Sequence, residues 1–129
     1  MGLEISVIKE TKAVSRICLS GKIDNDTFND LKSNLDKVIA TTTKAIVVDM
    51  ADVEMVTSAG IGVLTAALKN AQRNNVEFAM VELKPQVKKV FEIMRLMPML
   101  NVFESRLELD DYLVRIQRRI QEDGGFTSI

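Results

Sequence analysis

The chain of 129 residues predicts a single α/β domain, a mixed β-sheet of about five strands with four helices in the order ββαβαβαβα. Three observations predict it. Past two strand-like segments, the apolar period switches back and forth between 2 and about 3.6 residues, as alternating strands and helices require. The run Ala45 to Val48 is apolar without interruption, the mark of a strand covered on both faces. The composition, 47% apolar and 27% charged, suits one packed core, and no repeat, low-complexity run or linker interrupts it before residue 123. Residues 1–123 are therefore read as the domain and 124–129 as a flexible tail.

Each element has its own justification. Leu3, Ile5 and Val7 alternate with polar neighbours, and Ile17 and Leu19 do so again after the turn-like "ETKA". That predicts a hairpin whose second strand ends at Gly21. In "KIDNDTFNDLKSNLDKVIA" Phe28, Leu31, Leu35, Val38 and Ile39 share a helical face, and Asp26 or Asn25 can cap its start. "TTTKAIVVDM" holds the third strand, and "ADVEMVTSA" reads as a loop between it and the next helix. From Gly60 onward Ile61, Leu64, Leu68 and Ala71 mark that helix, closed by "RNN". "VEFAMVEL" is the fourth strand. Pro85 then opens a third helix, where its missing N–H costs nothing, with Val87, Val90, Phe91 and Met94 turned inward. "MLNVFES" predicts a short fifth strand, and Leu109, Tyr112, Leu113, Ile116 and Ile120 outline a last helix reaching Asp123.

What the chain lacks narrows its chemistry. It has no histidine, which removes a Ser-His-Asp triad, a Cys-His pair and histidine metal ligands. Its one cysteine, Cys18, permits neither an internal disulfide nor a multi-cysteine metal cluster, and reads as a small apolar filler. A net charge of −1 and the absence of tryptophan offer little to nucleic acid or to an acidic membrane. No apolar run approaches the roughly 20 residues of a membrane span, and no signal-peptide layout opens the chain, so a cytoplasmic location is expected. No cofactor, metal or catalytic residue is expected.

Some patterns nevertheless invite a chemical reading. Gly60 and Gly62, with Glu82 twenty residues on, partly match a dinucleotide fingerprint. Against it, Thr65 stands where the third glycine belongs and "ADVEMVTSA" separates the glycines from the strand. A P-loop is excluded because no Gly-Lys-Ser/Thr follows. Asp24, Asp26, Asp30, Asp49, Asp52 and Glu54 are carboxylates for which solvated loops and helix caps are the default, although Asp49 and Asp52 could approach the loop before Ser58. Met94, Met97 and Met99 read as packing residues.

Ser58 stands apart by position. At a helix start it can cap exposed N–H groups. The same helix end favours an anion by about 0.3–1 kcal/mol, so the fold would tolerate a phosphate there. That phosphate carries a charge of about −1.5 to −2, and a partner fitted to a neutral hydroxyl would lose contact.

Three stretches in this order resemble the STAS domain, and within it the bacterial anti-sigma factor antagonists, over about residues 3 to 115. "LSGKID" is similar to the family's glycine–acidic turn, "IVVDMADVEMVTSAGIGVL" to its strand, loop and helix start, and "KPQVKKVFEIMRL" to its proline-started third helix. The resemblance implies a phosphorylation-switched partner. Its unphosphorylated form would bind an anti-sigma factor that is also a serine kinase of the histidine-kinase-like ATPase fold, freeing a sigma factor. Phosphorylation of Ser58, or less readily Thr57, would release it, and a PP2C-type phosphatase would reset it. The partner surface implied is Gly21, Asp24 and Asn25 with Thr57, Ser58, Ala59, Gly60, Ile61 and Gly62. Departures from the family pattern are Thr57 for an aspartate, Ala59 where many relatives have a second hydroxyl, Arg95 for a late glycine, and a last helix about a dozen residues longer. An alternative within the fold is a STAS module of another complex, such as a sensory scaffold or a transporter-associated regulator. An enzyme is the reading from another class, disfavoured by the missing histidine.

Overall fold

The alternation near the start of the chain becomes a β-hairpin. In the computed structural model, which describes residues 2–11, 13–42, 44–99, 101–103 and 107–115, β1 (Leu3–Lys9) pairs antiparallel with β2 (Val14–Ile23). The Thr11 hydroxyl accepts from the backbone N–H of Ala13 and Val14, at 3.1 and 3.0 Å, and so shapes the connection. The second strand does not stop at Gly21 but runs on to Ile23. Gly21 lies where the register with the next strand slips, with φ of 120°, and a Cβ there would sit 2.1 Å from the Gly2 carbonyl oxygen. The glycine marks an irregularity inside a strand rather than its end.

The rest alternates as expected: α1 (Phe28–Thr41), β3 (Ala45–Val56), α2 (Ser58–Arg73), β4 (Glu77–Val81), α3 (Pro85–Ile93), a short 3-10 turn (Met97–Met99) and β5 (Asn101–Phe103). Residues 107–115 are helical and are called α4. Spatial order follows chain order, β1-β2-β3-β4-β5, and every pairing after the hairpin is parallel.

Helices cover both faces of this sheet. Leu31, Leu35, Leu64, Leu68, Val87 and Phe91 of α1, α2 and α3 pack on Ile17, Ile46, Val48, Phe78 and Met80. On the other face Leu109 and Leu113 of α4 meet Val14, Ala45, Val47, Ala79 and Val81. Tyr112 packs on Phe103 with the ring centroids 4.8 Å apart and the planes tilted by 41°, and its hydroxyl donates to Glu77 at 2.9 Å. Ile46, Val47 and Val48 are wholly buried because they lie between these layers.

Four further expectations need correcting. β3 does not give way to a loop after Met50 but continues through "ADVEMV" to Val56. Beyond Asp49 it has outrun β4 and pairs with β2 alone, and Glu54 is an extra residue between Val53, opposite Gly21, and Met55, opposite Lys22. That insertion breaks the strict alternation by which a strand is recognised. Next, α1 is capped by neither Asn25 nor Asp26. Thr27 holds the cap position, its hydroxyl donates to the Lys22 carbonyl at 2.8 Å, and Asp24 accepts from the N–H of Asp26 and Thr27.

α2 begins two residues before Gly60, at Ser58. Finally, Met94 is 47% exposed, because α3 has ended at Ile93. There Arg95 takes φ of 58°, while the N–H groups of Arg95 and Leu96 return to the carbonyls of Glu92 and Phe91. This is the helix-ending motif that glycine suits best, which gives the family's glycine at this position its physical reason. Asn75, also with φ of 58°, closes α2 in the same way. The expected run of the last helix through Ile116 and Ile120 to Asp123, and the tail 124–129, lie outside the described residues.

Candidate functional site: a helix start at the carboxyl edge of the sheet

β2 and β3 run in parallel and end together, Ile23 opposite Val56, so the chain turns into α1 and α2 at one edge. This is where parallel α/β sheets place their functional loops. The connection from β3 to α2 is a single residue, Thr57. Its N–H donates to the Ile23 carbonyl at 2.9 Å, its hydroxyl donates to the same oxygen at 3.4 Å, and the hydroxyl oxygen accepts from Gly60 N–H at 3.5 Å. Thr57 is therefore the N-cap of α2, a role expected of Ser58. Threonine and aspartate both cap well, so the aspartate that the resemblance implies at this position could hold the same cap.

Moving the cap one residue back changes what Ser58 is. It occupies the first helical position and its side chain is exposed. Ala59 beside it is half-buried. The two glycines differ sharply. A Cβ on Gly60 would meet Ile23 Cγ2 at 2.5 Å, Val56 Cγ1 at 3.0 Å and the Ile23 carbonyl oxygen at 3.1 Å, whereas one on Gly62 would meet nothing within 4 Å. Gly60 lets the helix lie against the end of β2, and Ile61 beneath it is buried in the core. Gly62 is exposed on the same side of the helix as Ser58, about one turn on.

The first turn of the site is built with equal economy. Asp24 accepts from the N–H groups of Asp26 and Thr27, at 2.9 and 3.2 Å, and its own N–H donates to the Thr27 hydroxyl at 2.9 Å. Asn25 is left at the tip, exposed, while Gly21 and Asp24 are half-buried. The hydrogen bond from Thr57 N–H to Ile23 joins this turn to the start of α2. Sequence reasoning passed over one neighbour: Met55, opposite Lys22, is 40% exposed and presents a large apolar side chain at the same edge. Its segment lacks the alternation of a strand, so no periodicity singles it out.

Asp49 does not join the site. It lies seven positions before Val56 along the strand, about 23 Å at the rise of an extended chain. It pairs instead with Arg16, which also reaches Glu10 at 3.2 Å. Burial alone would lower the pKa of the Arg16 guanidinium, but the hydrogen bond it donates to Asp49 and the nearby charges hold it above its ordinary value. Asp52 is exposed. Among the described residues no group of three or more His, Cys, Asp or Glu side chains could hold a metal. No helix among them is long and apolar enough to cross a membrane. The dinucleotide reading loses its objection about the intervening loop, since β3 leads almost directly into α2. It gains a stronger one, because Gly60 is filled by Ile23 and its N–H is already taken by Thr57.

The family model described as the STAS domain matches residues 6–109, and the chain belongs to that family. The candidate anti-sigma factor antagonist BtrV of Bordetella bronchiseptica is 28% identical over 89 residues, covering 69% of this chain and 77% of its own. Among solved structures, an anti-sigma factor antagonist of Mycobacterium paratuberculosis superposes with a TM-score of 0.76 at 24% identity, over 89% of this chain and 94% of the other. SpoIIAA, an anti-sigma factor antagonist, matches in its unphosphorylated form with a TM-score of 0.73 at 18% identity, over 88% and 98% of the two chains. The phosphorylated form of the Bacillus protein matches at 0.66 and 16%, over 84% and 99%. These structural likenesses show a shared fold.

Proposed function

We propose that this chain is an anti-sigma factor antagonist that works as a switch. Its unphosphorylated form binds a serine-kinase anti-sigma factor of the histidine-kinase-like ATPase type and frees a sigma factor. Phosphorylation of Ser58 ends that binding, and a PP2C-type phosphatase restores it. One observation carries the choice of residue: the Thr57 hydroxyl is committed to Gly60 and Ile23, while the neighbouring Ser58 is exposed at the first position of α2. A kinase reaching Ser58 need not unmake the cap. The relatives' names support the partner class, and SpoIIAA occurs in both phosphorylation states.

The contact surface in this reading is the exposed side of the edge: Ser58 and Gly62 on the helix, Asn25 and Asp24 on the turn. Gly21, Thr57 and Ala59 shape it, and the buried Gly60 and Ile61 hold it from behind. A phosphate at Ser58 adds about −1.5 to −2 charges in the middle of that surface while the helix end leaves the fold undisturbed. A mismatch of about 3 kcal/mol weakens binding roughly a hundredfold.

The test is titration calorimetry against a kinase-type anti-sigma factor encoded near this chain. Wild type and Ser58→Ala should bind alike, and protein phosphorylated at Ser58 should bind roughly a hundredfold more weakly. Equal binding by the phosphorylated form would overturn the switch.

A further inference from the structure

The two edges of the sheet are unlike. β5 is three residues long and α4 begins soon after it, an edge too short to recruit another strand. β1 is seven residues in unbroken antiparallel register with β2, from Leu3 opposite Gly21 to Lys9 opposite Ser15, and among the described residues no strand pairs with its outer side. Its protections are confined to its ends, Glu4 near one and Lys9 at the other; between them it has no charge, no proline and no register slip. Two β-branched residues stand exposed near its far end, Val7 at 44% and Ile8 at 51%. Because side chains alternate across a strand, they lie on opposite faces, and only another strand laid alongside would cover both.

We propose that this edge pairs with a second copy of the same chain, β1 against β1 in antiparallel register about a two-fold axis through Ser6. That register sets β-branched residues against each other at its centre. Ile5 lies opposite Val7 of the second copy, Ser6 opposite Ser6, Glu4 opposite Ile8 and Leu3 opposite Lys9. No charge faces a like charge, and both exposed β-branched residues gain a cross-strand neighbour. The contact is isologous and closes after two copies. It belongs to the smallest interface class, under about 1,200 Å² in total, so the dimer forms at high protein concentration and dissociates on dilution. Leu3 lies beside Gly21, at the carboxyl edge of β2, so the antiparallel axis points the two Ser58 edges in opposite directions and leaves both open.

Sedimentation equilibrium over a wide concentration range should show the mass rising toward that of a dimer. Val7→Lys combined with Ile8→Lys, both at exposed positions, should hold the chain monomeric throughout. Register is read by Ser6→Cys in a Cys18→Ser background, needed because Ser6 faces Cys18 across the hairpin. On the axis, Cβ atoms of opposed residues stand about 4.5–5.5 Å apart, close to disulfide reach. Oxidation should therefore give a covalent dimer from Ser6→Cys, and none from Glu4→Cys in the same background. A chain monomeric at every concentration overturns the proposal. So does a dimer that the lysine pair leaves intact, or one that Ser6→Cys fails to trap. Slow exchange of the β1 amides only when a different protein is added would assign the edge to that protein instead.

Discussion

Gly60→Ala adds one methyl group where the start of α2 lies against the end of β2. The new Cβ would stand 2.5 Å from Ile23 Cγ2 and 3.1 Å from the Ile23 carbonyl oxygen. Ile23 is wholly buried, and its backbone is held by Thr57 N–H at 2.9 Å, so neither neighbour can yield freely. Overpacking of this kind costs about 1–3 kcal/mol, and the better helix propensity of alanine returns at most about 1 kcal/mol. The expected net loss is about 1–2 kcal/mol, a fall of roughly 0.5–1 M in the urea midpoint at ordinary slopes.

Gly62→Ala meets nothing within 4 Å and should gain up to about 1 kcal/mol from propensity alone. The tightest contact is isolated by Ile23→Ala, which removes Cγ2 and leaves Val56 Cγ1 and the Ile23 carbonyl in place: in that background Gly60→Ala should cost clearly less than in wild type. The assay is urea unfolding followed by circular dichroism on the four variants. A Gly60→Ala midpoint equal to or above wild type, with Ile23 intact, would refute the packing argument.

Further outcomes follow from other sites. Thr57→Ala removes the cap of α2 and should cost about 1 kcal/mol in urea unfolding, whereas Thr57→Asp, which keeps a capping oxygen, should cost little. Arg95→Gly relieves the left-handed residue that ends α3 and should raise stability by about 1 kcal/mol, with its benefit visible in the unfolding midpoint. Arg16→Gln strips the charged partner from Asp49, whose side chain is only 16% exposed, and should cost about 2–3 kcal/mol. The Arg16 guanidinium is raised on folding, so its stabilisation is complete below its unfolded value and fades only as pH climbs through the folded one. Its contribution should accordingly not fade between pH 7 and pH 9, where chemical denaturation can compare the variant with wild type.

The fold was legible because burial imposes clear patterns on most of these elements. Leu31, Leu35, Val38 and Ile39 keep a helical period and are buried, and Ile46 to Val48 run apolar because helices cover both faces of the sheet. Where a strand leaves its neighbours the pattern fades. Past Asp49, β3 has β2 as its one partner, and the extra residue Glu54 spoils its alternation, so a strand passed for a loop. Gly21 passed for a strand end for a similar reason, since a glycine inside an irregular strand and a glycine in a turn look alike in one dimension.

The site was legible in position but not in its division of labour. Thr57 and Ser58 are both good cap residues, and periodicity cannot fix a helix start to within one residue. The end of β2 decides it: Ile23 is drawn against Gly60 and bonded to Thr57, which turns Ser58 outward. The same contact separates two glycines that look equivalent in "SAGIG", one filled by packing and the other open.

The central claim is that the exposed Ser58, and not the capped Thr57, is the residue whose phosphorylation switches this protein. The most direct test incubates the chain with the proposed anti-sigma factor kinase and ATP, then locates the added group by mass spectrometry of the peptides. One phosphate per chain is expected, placed on Ser58 and abolished by Ser58→Ala, with Thr57→Asp still modified. Phosphate on Thr57, or a mass gain that survives Ser58→Ala, would contradict it.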